Sequence, residues 1–380
     1  FFSSIAIFDK YQKLEKTEEV LQFSQIVQHI SVLMYNLQKE RGLSAGASAA
    51  KDGSFQHQLD RQREITMGAY SKMSSFFSSP PLYLPQNTKI NFQKMEAKFK
   101  QLEVIRTGID NHIDNNFFEY YSRLISELLQ EVNVLHAMAT NQETNYMVSS
   151  FIYALGLEEY AARERGLVYG ALNAKIYNSE QEDNFIPINI INQMARQQAE
   201  LTRFYNVASA NHTDLMLNAI NDNKIQAFYQ YRKSTINAVE KRNISINTNQ
   251  KIMKIDYNNT SQTLHKINHT EALMDPTEWW DLASQRLKLL HKVSSTIIAD
   301  IINLEKTANK QLKTPLILYT FFVLAVLAIA NFLSQILKNR LVEKIIYIAD
   351  FMRTARLHRK NIQLLNISGK DEIAIMANEF

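Results

Sequence analysis

LILYTFFVLAVLAIANFL, residues 316–333, is a run of 18 residues without a charged side chain, interrupted by Thr320 and Asn331. A run of this length is typical of a helix that spans a bilayer, whose hydrocarbon core is about 30 Å thick. We therefore expect a transmembrane helix over residues 314–337, with the rest of the chain divided between the two sides of a membrane. A buried core helix is the alternative.

Charged residues on the two sides of this run predict its orientation. Basic residues crowd the C-terminal side: Lys338, Arg340, Lys344, Arg353, Arg356, Arg359 and Lys360. Cytoplasmic flanks carry such an excess, so residues 338–380 are expected in the cytoplasm and residues 9–312 outside it. Residues 1–8 are apolar but too short to span a bilayer. They are expected to be the end of a first transmembrane helix, with a frayed hydrophobic entry as the alternative.

The composition indicates an all-α protein. The 380 residues include nine Gly and six Pro and are 46% hydrophobic, so few turn formers are available and long helices are favoured. Breaks at residues 51–54, 78–85 and 178–187 separate the amphipathic segments. We expect helices over roughly residues 9–50, 55–78, 88–112, 116–141, 144–177, 186–210, 212–244 and 248–272.

Eight antiparallel helices joined by short loops are typical of two four-helix bundles, which we expect to form the outer domain. A further helix begins near Thr277, after Pro276, and its apolar pattern continues into the membrane segment. We expect one continuous helix of about 60 residues, or roughly 90 Å.

Several classes of function are not expected. The chain has no cysteine, which excludes disulfides and thiolate chemistry. Its 42 basic and 38 acidic residues are too balanced for a nucleic-acid footprint. We find no motif for catalysis or for a cofactor, so this region is not expected to be an enzyme. His265 and His269 have metal-ligand spacing, but no third ligand is in register, and we expect them at the surface without a metal.

An internal repeat is the strongest local pattern. KERGLSAGA, residues 39–47, matches RERGLVYGA, residues 163–171, and the two stretches hold four of the nine glycines. Glycine weakens a helix by about 0.5–1 kcal/mol relative to alanine, so its use there needs a reason. Gly42 and Gly46, like Gly166 and Gly170, share one helix face and allow another helix or a ligand to approach the backbone.

The two arginines of the repeat fall on apolar faces. Arg41 is in phase with Leu33 and Leu37, and Arg165 with Phe151 and Leu155. A buried guanidinium keeps its charge and therefore needs an anion. That anion is either internal, with Glu40 and Glu164 as candidates, or a ligand on which both arginines converge.

Residues near the two arginines are further candidates. Ser44 and Tyr169, each within two turns of an arginine, are candidate ligand contacts, with ordinary packing as the alternative. Lys39 and Arg163 are expected in solvent. Trp279 and Trp280 form a residue pair that we expect to anchor the last helix by packing.

The motifs LQKERGLSAGA (Leu37–Ala47), RERGL (Arg163–Leu167) and Pro276-x-x-Trp-Trp-Asp-Leu-Ala together resemble the NIT family of nitrate- and nitrite-sensing domains, over about residues 25–295. The resemblance implies an all-helical fold of two four-helix bundles that binds nitrate or nitrite through interior arginines. Arg41 and Arg165 are then the expected ligand-binding residues, with Ser44, Tyr169, Gly42 and Gly166 around them.

Residues 337–380 resemble a HAMP linker. They contain an amphipathic stretch at residues 345–352, a connector at residues 361–366 and Asp371-Glu372-Ile373-Ala374, close to the Asp-Glu-x-Gly that opens the second HAMP helix. Leu341-Val342 stand where proline is common, and Ala374 replaces the usual glycine. The resemblance implies a homodimer.

Together these patterns predict a transmembrane receptor of the bacterial inner membrane. Its outer domain, residues 9–312, would sense nitrate or nitrite, and its linker, residues 338–380, would signal to a cytoplasmic output module for chemotaxis, a kinase or another activity. The alternatives are a sensor of another small anion and a helical protein-binding scaffold with structural Arg-Glu bridges.

Overall fold

The structure is a computed structural model that describes residues 2–50, 53, 55–78, 86–113, 116–139, 141–173, 185–233, 275–338, 342–357 and 375. Within these ranges the chain forms helices and no strand, which confirms the all-α prediction. The chain divides into two compact units, one of residues Lys13–Asn309 and one that combines Phe1–Gln12 with Lys310–Phe380.

Ten helices follow one another along the described residues. They are α1 (Phe2–Ala50), α2 (Gln56–Ser78), α3 (Gln86–Asp110), α4 (Phe117–Met138), α5 (Gln142–Asn173), α6 (Phe185–Val207), α7 (Ala210–Ile220), α8 (residues 226–233), α9 (Pro276–Leu337) and α10 (Glu343–Leu357). A 3₁₀ turn, Asn223–Ile225, lies between α7 and α8.

Most predicted helix bounds agree with the structure to within a few residues, but the helix expected over residues 212–244 is interrupted. The Asp222 side chain accepts a hydrogen bond from the backbone N–H of Lys224 and begins the 3₁₀ turn that separates α7 from α8. Such local bonds compete with the helix ladder. The helix expected over residues 248–272, with His265 and His269, lies outside the described residues.

Polar contacts link α1 to α4 as one group of helices. On α3, Arg106 binds Glu40 of α1 with Nε and Nη2 at 2.7 and 2.8 Å, and Tyr121 of α4 donates to the same carboxylate. On α2, Gln62 donates to the Asn36 side chain of α1 at 3.1 Å. The first predicted bundle is present in this arrangement.

The helices α5 to α9 form a second group. Glu164 of α5 accepts from Gln197 of α6 at 2.7 Å and from Arg232 of α8 at 2.8 Å. His212 of α7 lies 3.1 Å from Asp300 of α9. One buried hydrophobic cluster contains residues of both groups, so the group α1 to α4 and the group α5 to α9 share a core.

The helix α9 confirms the predicted continuity from Pro276 into the apolar segment. Its most apolar window has a mean hydropathy of 2.5, and among the described residues it is the one helix long and apolar enough, by length and composition, to cross a membrane. Large side chains there are exposed, for example Leu318, Phe321 and Phe322. The HAMP-like residues 361–366 and 371–374 lie outside the described part of the chain.

Candidate functional site

The repeated motifs meet where α1 crosses α5. A methyl group on Gly166 would lie 3.5 Å from the Cα of Gly42, so the two backbones touch at these glycines. A methyl group on Gly46 would lie 2.0 Å from the Tyr169 ring. The glycines therefore serve a close crossing of two long helices, as their shared face predicted.

Arg41 is fully buried and paired with a carboxylate. Its Nη1 and Nη2 donate to the two carboxylate oxygens of Glu159, on α5, at 2.7 and 3.1 Å. Nη1 also donates to the hydroxyl of Ser122 at 2.9 Å, and the guanidinium lies 5.0 Å from the ring centroid of Phe118. Burial lowers the pKa of Arg41, and the charge of Glu159 opposes that shift. This is a bidentate pair of the strongest kind.

Arg165 is equally buried, with 1% of its surface exposed, but none of the described carboxylates lies within ion-pair distance. Its Nη1 donates to the hydroxyl of Ser284 at 3.0 Å and its Nη2 to the backbone carbonyl of Gln38 at 3.0 Å. The ring centroid of Trp280 is 4.2 Å from its guanidinium carbon. Burial lowers the pKa of Arg165 to about 9; Tyr35 and Glu158 oppose the lowering, and the charge of Arg41 adds to it.

Several buried polar atoms near this cation have no hydrogen-bond partner among the described residues. They include Nε of Arg165, Nε of Arg41 and both amide atoms of the Gln38 side chain. Gln38 is one turn before Arg41 on α1, and its backbone carbonyl already contacts Arg165. A buried polar group without a partner costs about 1–3 kcal/mol, so the cluster is suited to a small polar ligand.

The surroundings of the two arginines correspond residue by residue. Arg41 has an aromatic ring and a serine hydroxyl four residues apart on α4, Phe118 and Ser122. Arg165 has the same pair, also four residues apart, on α9: Trp280 and Ser284. The two rings also occupy matching places beside glycine. A methyl group on Gly166 would lie 2.9 Å from the ring of Phe118, and one on Gly42 would lie 2.8 Å from that of Trp280.

The internal partners predicted for the arginines were wrong. Glu40 binds Arg106 of α3, and Glu164 binds Arg232 of α8. Adjacent residues of a helix point about 100° apart, so a glutamate next to an inward arginine reaches a different neighbouring helix. The predicted Arg-Glu bridge therefore exists for Arg41, but with a carboxylate from another helix.

The prediction that Lys39 and Arg163 face solvent was also wrong. Both are half-buried. The Arg163 Nε donates to Glu159 at 2.5 Å, the same carboxylate that holds Arg41. The Lys39 ammonium lies 4.5 Å from the ring centroid of Tyr35, and burial lowers its pKa, with Arg165 contributing. Arg163 also donates to the Ser126 hydroxyl of α4 at 3.1 Å, so α4 contributes to its burial.

Ser44 and Tyr169 are buried close to the repeated glycines. The Ser44 hydroxyl is without a hydrogen-bond partner among the described residues. Tyr169 packs against Phe55 and Trp280, with ring centroids 5.4 and 4.9 Å away, and burial raises its pKa. Tyr169 thus supports the ring that lies over Arg165. The packing role predicted for the tryptophans is confirmed for Trp279, which is 1% exposed and whose Nε1 donates to the Arg165 carbonyl at 3.1 Å.

Three residues of the cluster were missed from the sequence: Glu159, Gln38 and Ser284. Glu159 had a usable signal, because Glu158-Glu159 interrupts an otherwise apolar stretch of a helix. Gln38 had a weaker one, since it lies three residues before Arg41 on the same face. Ser284 had none, because its contact with Arg165 depends on how α9 packs on α5.

Comparison with known proteins gives one family and one solved structure. A family model described as NIT, nitrate and nitrite sensing, matches residues 32–302. The structure of the NasR transcription antiterminator superposes with a TM-score of 0.62 over 94% of this chain and 90% of that chain, at 16% sequence identity. That likeness shows a shared fold. No curated protein matches the chain.

Proposed function

The chain belongs to the NIT family of nitrate- and nitrite-sensing domains, and on that premise we propose that it binds one nitrate or nitrite ion in the interior cluster at Arg165. The observation that carries the proposal is a fully buried guanidinium without a carboxylate partner among the described residues. A buried cation is costly unless it is paired, and a monovalent anion supplies the missing charge. The charge of Arg41 acts on Arg165 as well, although Arg41 is itself paired with Glu159.

The ligand's shape fits the donors that are present. Nitrate and nitrite are planar, and their in-plane oxygens accept two parallel N–H bonds from one guanidinium. The side-chain amide of Gln38 adds N–H donors that have no partner among the described residues. Trp280 excludes water from one side of Arg165. A small planar monoanion satisfies this site better than a bulky polyvalent one.

Entry of the ion requires movement of side chains. Neither of two open grooves on the chain, one beside His212 and one beside Leu316, is lined by Arg41 or Arg165. The first turns of α9 cover Arg165 with Trp280 and Ser284. A ligand that changes these contacts favours one position of α9 over another, which is the differential affinity that a signal requires.

We further propose that α9 crosses the bacterial inner membrane and carries the signal to a HAMP-like linker over residues 338–380. Support comes from the apolar residues 316–333, the basic flank that follows them and the unbroken helix Pro276–Leu337. Residues 9–312 would then lie outside the cytoplasm, residues 314–337 in the membrane and residues 1–8 at the end of another membrane helix. A homodimer and a downstream signalling module complete this receptor.

The decisive binding experiment is calorimetry on the full chain in lipid nanodiscs, with potassium nitrate and sodium nitrite and with potassium chloride as the control salt. We expect saturable heat with nitrate or nitrite and none after Arg165→Gln. Arg63→Gln is the matched control. Arg63 of α2 pairs with Asp110 of α3, so its loss should leave nitrate binding unchanged. No heat with either ion would contradict the proposal.

Membrane insertion is tested separately by alkaline carbonate extraction of cell membranes. We expect the full chain to stay in the membrane pellet. Replacing Leu324 and Val326 together by arginine should release it, because each charge at a helix centre costs about 2.5–3.5 kcal/mol of insertion. A full chain that carbonate extracts as readily as this variant would contradict the membrane proposal and leave the anion site untouched.

A further inference from the structure

Each repeat arginine reaches across the α1–α5 crossing toward the other helix. Arg41 and Arg165 are 124 residues apart, and so are Tyr35 and Glu159. Arg41 of α1 binds Glu159 of α5. The residue that corresponds to Glu159, on the α1 side of the crossing, is therefore Tyr35.

The cations around these two positions correspond as well. Glu159 is held by Arg41 and by Arg163, four residues after it on its own helix. Tyr35 has Lys39 four residues after it, with the ammonium 4.5 Å from its ring. The charge of Arg165 acts on the Tyr35 hydroxyl. Position 35 thus has Lys39 in contact and the charge of Arg165 acting on it, but it carries no carboxylate of its own, and the charge of Glu158 also acts there.

On this basis we infer that the ligand anion replaces the carboxylate that Tyr35 does not supply, held between Arg165 and Lys39 as Glu159 is held between Arg41 and Arg163. The inference rests on the proposed function and adds two things to it. Lys39 becomes an anion-binding residue, and position 35 determines whether the site accepts an external ion.

The same correspondence defines the chemical class of ligand. Glu159 presents an O–C–O fork to Nη1 and Nη2 of Arg41 at 2.7 and 3.1 Å. Nitrite and nitrate present an O–N–O fork of the same planar form. Formate presents an O–C–O fork without a side chain attached. The site should therefore take small planar oxyanions and discriminate against spherical chloride and tetrahedral sulfate.

Charge near position 35 comes from several elements. Glu158 of α5 lies 3.2 Å from His291 of α9, whose ring stacks on Tyr35 at a centroid distance of 4.0 Å. Glu158 also accepts from Ser294 at 3.0 Å. The charge of Glu158 also acts on Arg165, although no ion pair joins the two among the described residues. A carboxylate at position 35 would therefore meet Arg165 and Lys39 as its available cations.

The test compares Tyr35→Glu with Tyr35→Gln in the full chain, in nanodiscs, by calorimetry with potassium nitrate. The two variants lose the same ring and differ in one charge. Glutamate at position 35 should act as a tethered competitor and weaken nitrate binding by more than about tenfold relative to glutamine. It should also raise the melting temperature above that of Tyr35→Gln, because it neutralises the buried cations.

Equal nitrate affinity of the two variants, while the unmodified chain binds nitrate, would overturn this inference and leave the proposed function standing. If neither the unmodified chain nor Tyr35→Gln binds nitrate or nitrite, both fall. Formate provides a measurement that needs no variant. It should displace nitrate from the unmodified chain at concentrations at which chloride and sulfate do not, and failure to do so would also overturn the inference.

A last variant isolates Lys39. We expect Lys39→Gln to weaken nitrate binding by about tenfold. Lys98→Gln is the control and should have no effect, because Lys98 of α3 pairs with Glu127 of α4. Equal effects of the two changes would show that Lys39 contributes only to the general positive potential, and would exclude it as a ligand contact.

Discussion

Gly42 gives Trp280 the space it needs over Arg165: a methyl group on Gly42 would lie 2.8 Å from Cζ3 of the indole. The absence of a side chain at Gly42 of α1 therefore allows both the close crossing of α1 with α5 and the observed position of Trp280 on α9. An overlap of this size forces the ring or the helix to shift.

Gly42→Ala should weaken nitrate binding by displacing Trp280 from Arg165, and should destabilise the fold by about 1–3 kcal/mol through overpacking. Gly68→Ala is its control. Gly68 lies in the interior of α2, and beyond its own helix backbone no described atom lies within 4 Å of an added methyl group, so alanine should stabilise the protein by about 0.5–1 kcal/mol. Urea denaturation and calorimetry measure both effects. Equal stability of the two variants would contradict the predicted overlap.

Arg165→Met and Arg41→Met should change stability in opposite directions. Methionine at position 165 removes a buried cation without a carboxylate partner, so we expect the ion-free protein to gain roughly 2 kcal/mol while nitrate binding is lost. Methionine at position 41 removes the bidentate partner of Glu159. We expect a loss of about 3 kcal/mol there, because a buried carboxylate then keeps only Arg163. Thermal melts without nitrate distinguish the two, and a destabilised Arg165→Met protein would argue that Arg165 is a structural residue.

Nitrate affinity should fall at alkaline pH. The folded-state pKa of Arg165 is lowered to about 9 from its usual 12.5, so the cation is present below that pH and the proton leaves as pH rises through it. Nitrate does not titrate in this range and binds the charged form. Kd should therefore be constant from pH 6 to 8 and weaken by up to about tenfold per unit above pH 9. A Kd that stays flat to pH 10 would contradict the lowered pKa.

Titration of Arg165 should also change the free energy of unfolding of the ion-free protein, in the direction opposite to its effect on nitrate affinity: its contribution becomes more favourable as pH rises. Below pH 9 the folded state carries the full cost of a buried cation, and that cost is relieved as pH rises from 9 toward 12.5. Lysines and tyrosines elsewhere titrate in this window. The informative quantity is therefore the stability difference between the unmodified chain and Arg165→Met, which should shrink as pH rises above 9.

Trp279→Phe tests the second contact of α9 with the site. The indole Nε1 donates to the backbone carbonyl of Arg165 at 3.1 Å, and phenylalanine removes that bond while it keeps a buried ring. We expect a loss of about 0.5–1.5 kcal/mol from the missing hydrogen bond, together with some loss of packing. Nitrate affinity should change less than after Trp280→Phe, because Trp280 and not Trp279 lies over the guanidinium. A larger loss of nitrate affinity after Trp279→Phe than after Trp280→Phe would contradict the assignment of Trp280 as the ring that covers Arg165.

The sequence predicts the helices and the inward direction of both arginines because these depend on local periodicity, and Arg41 and Arg165 are both buried as expected. It does not predict their partners. Glu159 is 118 residues from Arg41 along the chain, and Ser284 is 119 residues from Arg165. Such contacts depend on how long helices cross, and that crossing is set by the shapes of many side chains together.

The failed predictions have a common cause. Sequence proximity and helical phase alone predict Glu40 and Glu164 as partners and predict that Lys39 and Arg163 face solvent. In the structure Arg163 donates to Glu159, four residues before it on α5, and to the Ser126 hydroxyl of the neighbouring α4 at 3.1 Å. Helical phase gives the direction of a side chain, while its environment depends on the distance to the next helix.

If the inference about position 35 holds, Tyr35 is the one residue that distinguishes an anion-binding core from a self-contained one. A repeated element that carries an acid opposite each of its two guanidinium groups is electrically closed and has nothing to offer an external ion. With an aromatic residue at one of those two positions, one cation is left for an external ion, and the acid that is missing defines the shape and charge of that ion. The specificity of such a site is set by the one side chain that the core does not supply.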